Sequence, residues 1–151
     1  MKTREGDLIA LAEAGEFDVL VHGCNCQNTM GKGFARIIKE RFPEAYQADL
    51  KTVKGDRAKL GTYSAERCDR SGRELTIVNA YTQFNWRGKG LKADYDAIRA
   101  VFKLIKRDFA GKRIGFPKIG AGLAGGDWEQ IASIIQRELD GEDYTLVVFP
   151  G

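Results

Sequence analysis

"FDVLVHGCNCQNTMGKGFARIIKERF", residues 17 to 42, passes from an apolar run through a small-residue segment into a pattern of helical period. Val19, Leu20 and Val21 are consecutive, which predicts a strand buried on both faces, as in a parallel sheet. Gly23, Gly31 and Gly33 punctuate the segment after it. Phe34, Ile37, Ile38 and Phe42 then recur at the spacing of one helix face. Strand, glycine loop and helix in that order are the repeating unit of an α/β domain.

The flanks extend the same alternation. On the amino-terminal side, residues 2–5 ("KTRE") form a short strand ended by Gly6. Asp7 caps a helix over residues 8–14, which Gly15 stops. After the opening stretch, Pro43 starts a second short helix. Residues 59–67 and 74–83 read as two strands of a hairpin, joined by the turn "CDRSGR" at 68–73. Residues 94–109 carry Tyr95, Ile98, Phe102, Ile105 and Phe109 on one helical stripe. A strand over 112–118 comes next. The last helix, 127–139, opens on Asp127 with Gln130 three residues on, a capping-box-like start. Residues 144–150 close the chain as a buried strand. The expected fold is a three-layer α/β/α sandwich around a mixed, largely parallel sheet, with residues 1–151 as one domain.

The bulk properties narrow the function class. The chain has 151 residues, 43% of them hydrophobic and 30% charged. A domain of this size buries roughly 70% of its unfolded surface and needs neither metal nor disulfide to hold a core. There is no apolar run of about 18 residues, so no membrane partner is expected. "MKTREGD" followed by an acidic stretch shows no signal peptide. Three cysteines, two of them one residue apart, suit a reduced, cytoplasmic setting, and a monomer is the expectation there. The net charge of +3 fits a small anionic ligand without demanding nucleic acid. The basic run 51–59 reads as a solvated helix end and loop.

In open α/β sheets, ligands bind beyond the carboxyl ends of the strands. Two glycine-rich loops fall there. One is the opening stretch; the other is "KIGAGLAGGDW", residues 118–128. Backbone N–H groups in such loops, with a helix N-terminus behind them, attract phosphate. Together they suit a diphosphate held from both sides. Neither loop has the P-loop spacing, and neither has a clean GxGxxG followed by an acidic residue.

His22 is the only histidine, at the end of the central strand. It is either a structural histidine with a satisfied ring or a general acid or base, since an imidazole with a pKa of about 6.5 serves both roles at neutral pH. Cys24 and Cys26 beside it suggest a metal, but a closed zinc site takes four ligands. The remaining cysteine, Cys68, falls in an expected turn, so neither metal nor cofactor is expected. Packing is the simpler role for both thiols, with a His22-assisted thiolate as the alternative. Asn25 and Asn28 are either turn residues or ligand contacts. Asp7 and Asp127 are helix caps; Asp7 also faces the expected crevice, whereas Asp127 reads as structural, with orientation of His22 or a water as its alternative. Residues 83–87, "QFNWR", form a wall or lid at a strand end.

Taken together, "GDL" near the start, an asparagine followed by "GKGFA", and "FPKIGAGLAGGDW" near the end resemble the macro domain family over nearly the whole chain. The resemblance implies ADP-ribose, or a derivative of it, as ligand. It implies that Asp7, with Leu8 beside it, accepts the adenine amino group, and that Asn25 and Asn28 lie near the distal ribose. Gly31, Lys32, Gly33 and Phe34 would line the ribose and diphosphate from one side. Gly120, Ala121, Gly122, Leu123, Ala124 and Gly125 would do so from the other, with Gln83 nearby.

Two branches of the family are echoed. "GKG" is similar to the DNA ADP-ribosyl antitoxins and terminal ADP-ribose glycohydrolases. Those use a lysine where this chain has Gln83; Trp86 and Arg87 are retained nearby, and Lys89 stands in a different register. "VHGCNC" resembles the ADP-ribose-1″-phosphate phosphatases, whose histidine at this point is linked to catalysis. That resemblance nominates His22 as catalytic, and Asn25 at the distal ribose and Asp127, beyond its role as a cap, are the catalytic candidates placed with it. His22 would activate a water or protonate the departing oxygen, and Asp127 would orient it or a water. The expected reaction is removal of the 1″-phosphate. The alternatives are release of ADP-ribose from modified protein or nucleic acid, and a non-catalytic reader.

Overall fold

The computed structural model describes residues 1–87 and 90–150. In chain order the elements are β1 (Lys2–Glu5), α1 (Leu8–Glu13), β2 (Val19–Asn25), α2 (Gly33–Arg41), α3 (Pro43–Leu50), a 3₁₀ turn (Arg57–Lys59), β3 (Tyr63–Arg70), β4 (Arg73–Gln83), α4 (Tyr95–Asp108), β5 (Arg113–Phe116), α5 (Trp128–Glu138) and β6 (Asp143–Val148). The strands make one six-stranded sheet in the order β1-β6-β5-β2-β4-β3. Every neighbouring pair is parallel except β3 and β4.

Alternation along β2 divides the core into two layers. Val19 and Val21 join Val78, Ala80 and the apolar faces of α4 and α5. Leu20 joins Leu75, Ile77 and residues of α1, α2 and α3 on the other side. Of the expected α4 stripe, Ile98, Phe102 and Ile105 are sealed from solvent, Val101 joins them, and Tyr95 and Phe109 are partly buried. Each such side chain contributes about 2 kcal/mol by leaving water. Between α2 and α3 the chain breaks at Phe42 (φ −132, ψ 71) because Pro43 comes next. A residue before proline is pushed out of the helical region, and proline is favoured at the first position of the next helix.

The hairpin is tighter than expected. β3 runs on to Arg70, and the turn is Ser71–Gly72 alone, with φ of 55 and 75. Two positive φ values match the turn twist that favours hairpins. Cys68 therefore lies in the strand opposite Leu75, buried, and not in the turn. The basic run 51–59 also departs from expectation at its end. Lys59 is buried at 7% exposure, while Lys51, Lys54 and Arg57 are exposed.

Candidate functional site

The carboxyl ends of β1, β6, β5, β2 and β4 share one edge of the parallel sheet, and the segments leaving them carry the expected site residues. Residues 118–126 leave β5. The hydrogen bond from Gly126 N to Gly120 O (2.7 Å) closes this segment into a compact loop, and Lys92 N and Ala93 N both bond to Ala124 O. A Cβ on Gly126 would stand 2.5 Å from Gly120 O, so the loop closes only around glycine. Ala124 is buried beneath it, and Leu123 is 66% exposed at its tip.

The loop leaving β2 faces it. Gly33 has φ +61, and a Cβ there would stand 3.2 Å from Leu123 Cδ1, so the two loops meet at this pair. α2 starts at Gly33. Its N-cap, Lys32, makes no side-chain cap hydrogen bond, whereas α1, α4 and α5 are each capped by an aspartate. The first N–H groups of a helix have no intrahelical partner. With no side-chain cap at Lys32, the positive end of α2 stands beside the contact between the two loops, and a helix start of this kind favours negative charge.

His22 is not in that gap. It is 1% exposed, and its Nε2 lies 2.7 Å from Asn79 Oδ1. Asn79 spends its own NH₂ group on Ala45 O (2.9 Å) and Ser64 Oγ (3.0 Å). Asn79 Oδ1 therefore accepts, and His22 Nε2 carries the proton. Cys24 Sγ is 3.6 Å from Nε2, and the Phe34 ring is 6.2 Å away. Burial pushes the imidazole down to about 4, against the smaller opposing effect of Asn79. The ring is thus neutral at physiological pH. Of the two readings open for His22, this environment fits the structural ring with a satisfied nitrogen: β2 alternation turns residue 22 toward the α1–α3 layer.

Other expected residues fall in different places. Asp7 caps α1 with Oδ1 accepting from Ile9 N (3.0 Å) and Ala10 N (3.2 Å), while Leu8 is buried in the core. Gly6 N bonds to Val148 O, which brings the end of β6 beside Asp7. The next residue, Phe149, is 71% exposed. The pattern over residues 144–150 predicts buried strand there; the sheet order instead puts Phe149 at the carboxyl edge, just past the end of β6. Asn25 follows a register shift in β2 and is partly buried. Its Oδ1 accepts from Gln27 N (2.8 Å), and its Nδ2 donates to Thr29 Oγ1 (2.9 Å). Asn28, at φ +56, donates to Thr52 O (2.9 Å) and accepts from Lys59 Nζ (2.6 Å), so its amide serves the loop's own scaffold.

Asp127 is exposed and caps α5, accepting from Glu129 N (3.0 Å). α5 packs on the face opposite His22, so Asp127 does not orient that ring. Gln83 donates to Asn85 O (2.9 Å). Trp86 lies at the rim, with Lys32 Nζ 5.7 Å and the Arg87 guanidinium 4.9 Å from its ring. Lys89 lies outside the described residues.

Cys24 and Cys26 pack with Tyr81. Burial pushes both thiols up, Cys24 well above the usual range, which disfavours the thiolate. Among the described residues, no group of three or more His, Cys, Asp or Glu side chains converges. A groove of about 490 Å³ opens at the other end of the sheet, lined by Lys2, Arg4, Phe17, Arg113 and Asp143. Its cations are paired with Asp143, Glu16 and Asp18. It has neither glycine loops nor an uncapped helix start; both features stand at the opposite edge of the sheet.

The macro domain family model matches residues 21–135. The chain belongs to the macro domain family. Of its relatives, an uncharacterized 17.5 kDa protein from the tk-vs intergenic region of Enterobacteria phage T4 is 35% identical, covering 89% of this chain and 87% of that protein. An ADP-ribose 1″-phosphate phosphatase of Candida albicans is 27% identical, covering 95% of this chain and 96% of that protein. A DNA ADP-ribosyl glycohydrolase of Mycobacterium tuberculosis is 27% identical over 96% of this chain, which spans only 40% of that protein. Solved macro domains share the fold. The macrodomain of Mycobacterium tuberculosis DarG superposes with a TM-score of 0.73 at 24% identity, covering 100% of this chain and 98% of that one. Thermosipho africanus DarTG in complex with ADP-ribose gives 0.71 at 19% identity, covering 99% and 42%.

Proposed function

We propose that this macro domain binds ADP-ribose derivatives across the carboxyl edge of its sheet and hydrolyses ADP-ribose 1″-phosphate to ADP-ribose and inorganic phosphate. The observation that carries the reading is the meeting of two glycine loops at Gly33 and Leu123, over an α2 start with no side-chain cap. That arrangement supplies fixed N–H groups to a diphosphate from two sides. Asp7 Oδ1 serves the helix cap, and Oδ2 takes the adenine amino group as acceptor. Phe149 offers its exposed ring to the base.

The distal ribose lies over Asn25. There a water attacks phosphorus, the bond from phosphorus to the C1″ oxygen breaks, and ADP-ribose leaves with that oxygen protonated. Charge developing on the phosphate is stabilised by loop N–H groups, an electrostatic route that needs no titrating histidine. In this reading His22 is a neutral strut for the end of β2, and Asp127 sets the start of α5 beside the loop. The phosphatase relative, matching over 95% of this chain and 96% of its own, supports this substrate. Three free, buried cysteines suit a reducing compartment such as the cytoplasm.

A second reading, release of ADP-ribose from modified nucleic acid, is favoured by the rim. Trp86 with Lys32 and Arg87 near its ring, and Arg57 at 4.0 Å over Phe84, provide stacking surfaces and positive charge. Parallel incubations with ADP-ribose 1″-phosphate, ADP-ribosylated DNA and ADP-ribosylated protein separate the readings. Phosphate release supports the first and ADP-ribose release the second. Calorimetric binding of ADP-ribose without turnover leaves a reader.

A further inference from the structure

We propose that Lys59 is a positioning residue for the β2–α2 loop, holding it in the shape that presents the α2 amides and adding a buried positive charge beneath it. The ligand side of this inference rests on the ADP-ribose reading above; the loop-ordering side does not. Lys59 ends a 3₁₀ turn fixed by Asp56, which caps Ala58 N at 2.9 Å, and Thr62 Oγ1 bonds to its carbonyl at 2.7 Å. Its Nζ reaches across 31 residues of sequence to Asn28 Oδ1 (2.6 Å) and to Cys26 O (3.2 Å), and lies 4.8 Å from the Tyr81 ring. Cys26 O also accepts from Gly55 N at 2.7 Å, so the segment 55–59 grips the loop at two points.

Asn28 needs that grip. Its φ of +56 is a left-handed conformation that a non-glycine residue adopts at a cost, and its amide is clamped between Lys59 and Thr52 O. Five residues on, α2 begins without a side-chain cap. A loop that drifted at Asn28 would carry Gly31–Gly33 with it.

The ammonium is also unusual in its company. Among the described residues, no carboxylate lies within ion-pair distance of it. Asp49, bonded to the Tyr81 hydroxyl, feels the charge without pairing with it. Carbonyl dipoles and the Tyr81 ring are its immediate neighbours, so its field is only partly cancelled. A charge held in low dielectric acts over longer range than one in water. It therefore favours an anion bound above the loop.

The test compares wild type with Lys59→Met, Lys59→Arg and Asn28→Ala by amide hydrogen exchange without ligand and by ADP-ribose calorimetry. Losing a charge-assisted buried bond predicts about tenfold faster exchange at residues 27–33 in Lys59→Met, with β2 and β4 unchanged, and about tenfold weaker ADP-ribose binding. Lys59→Arg, which keeps charge and donors, restores most of both. If Lys59→Met does not fold, Asn28→Ala decides, because it opens the same loop while leaving the ammonium in place. Unchanged exchange at 27–33, or a rise spread equally over the central strands, overturns the proposal. If wild type fails to bind ADP-ribose, the functional reading falls while the exchange arm still judges the pin.

Discussion

His22 and Asn79 face each other across the β2–β4 ladder as register partners, 2.7 Å apart from Nε2 to Oδ1, and each leaves the other satisfied. A histidine buried neutral must lose this environment before it can take up a proton. The unfolded ring titrates near 6.5 and the folded ring near 4. The unfolded state therefore binds more protons between those values, and stability falls as pH drops from 6.5 to 4, by about 3 kcal/mol at most. The groups facing the ring include Asn79, Cys24 and Phe34. Asp49, held to the Tyr81 hydroxyl in the same layer, is pushed up by burial and changes in the opposite sense. Urea unfolding of wild type and His22→Gln at pH 7, 5.5 and 4.5 isolates the histidine: the variant's stability declines less over this window.

A second acid transition belongs to Glu44. Arg70 holds both its oxygens, at 2.7 and 2.9 Å, and that pairing draws the carboxyl down to about 2. Its contribution is present above the usual carboxylate value and is lost as pH falls from about 4.5 to 2. Both side chains are partly exposed, so the expected loss in Glu44→Gln at pH 7 is about 1 kcal/mol. Chemical denaturation at pH 7 and pH 3 checks it, since the gap to wild type narrows at the lower pH.

Asp7 has two separable jobs. Asp7→Ala removes the α1 cap and costs about 1 kcal/mol of stability. Asp7→Ser retains a cap of similar strength but loses the second carboxylate oxygen. Thermal unfolding is expected to leave Asp7→Ser near wild type, while calorimetry shows ADP-ribose binding weakened by about tenfold, the loss of one hydrogen bond to a charged acceptor. Equal binding by Asp7→Ser and wild type would remove Asp7 from the adenine site.

Gly126→Ala addresses the second loop. The added methyl must displace a backbone carbonyl at Gly120, which cannot swing away as a flexible side chain can. Overpacking of this kind costs about 1–3 kcal/mol. Circular dichroism is expected to show an intact fold, with ADP-ribose affinity sharply reduced.

Much of this architecture can be read from the chain, and the remainder cannot, for physical reasons. Val19–Val21 and the α4 stripe carry their burial in their own periodicity, and Asp7 and Asp127 announce helix starts locally. The glycine loops come after strands, which is enough to place them at one sheet edge. The side chains of His22, Asn28 and Lys59 depend instead on partners 57, 24 and 31 residues away. Asn79 reaches His22 only because β2 and β4 pair in parallel in one particular register. Lys59 sits in a basic run that reads as surface, yet two loop oxygens draw it inward. Phe149 gains its place from β6 lying next to β1, an adjacency no local pattern encodes.

Hydrolysis itself is tested by inorganic phosphate release from ADP-ribose 1″-phosphate, followed alongside the ADP-ribose formed. Catalytic turnover giving equal amounts of both, abolished in Gly126→Ala at the same protein concentration, is the predicted result. Tight binding of ADP-ribose by wild type with no phosphate released over many hours would contradict it.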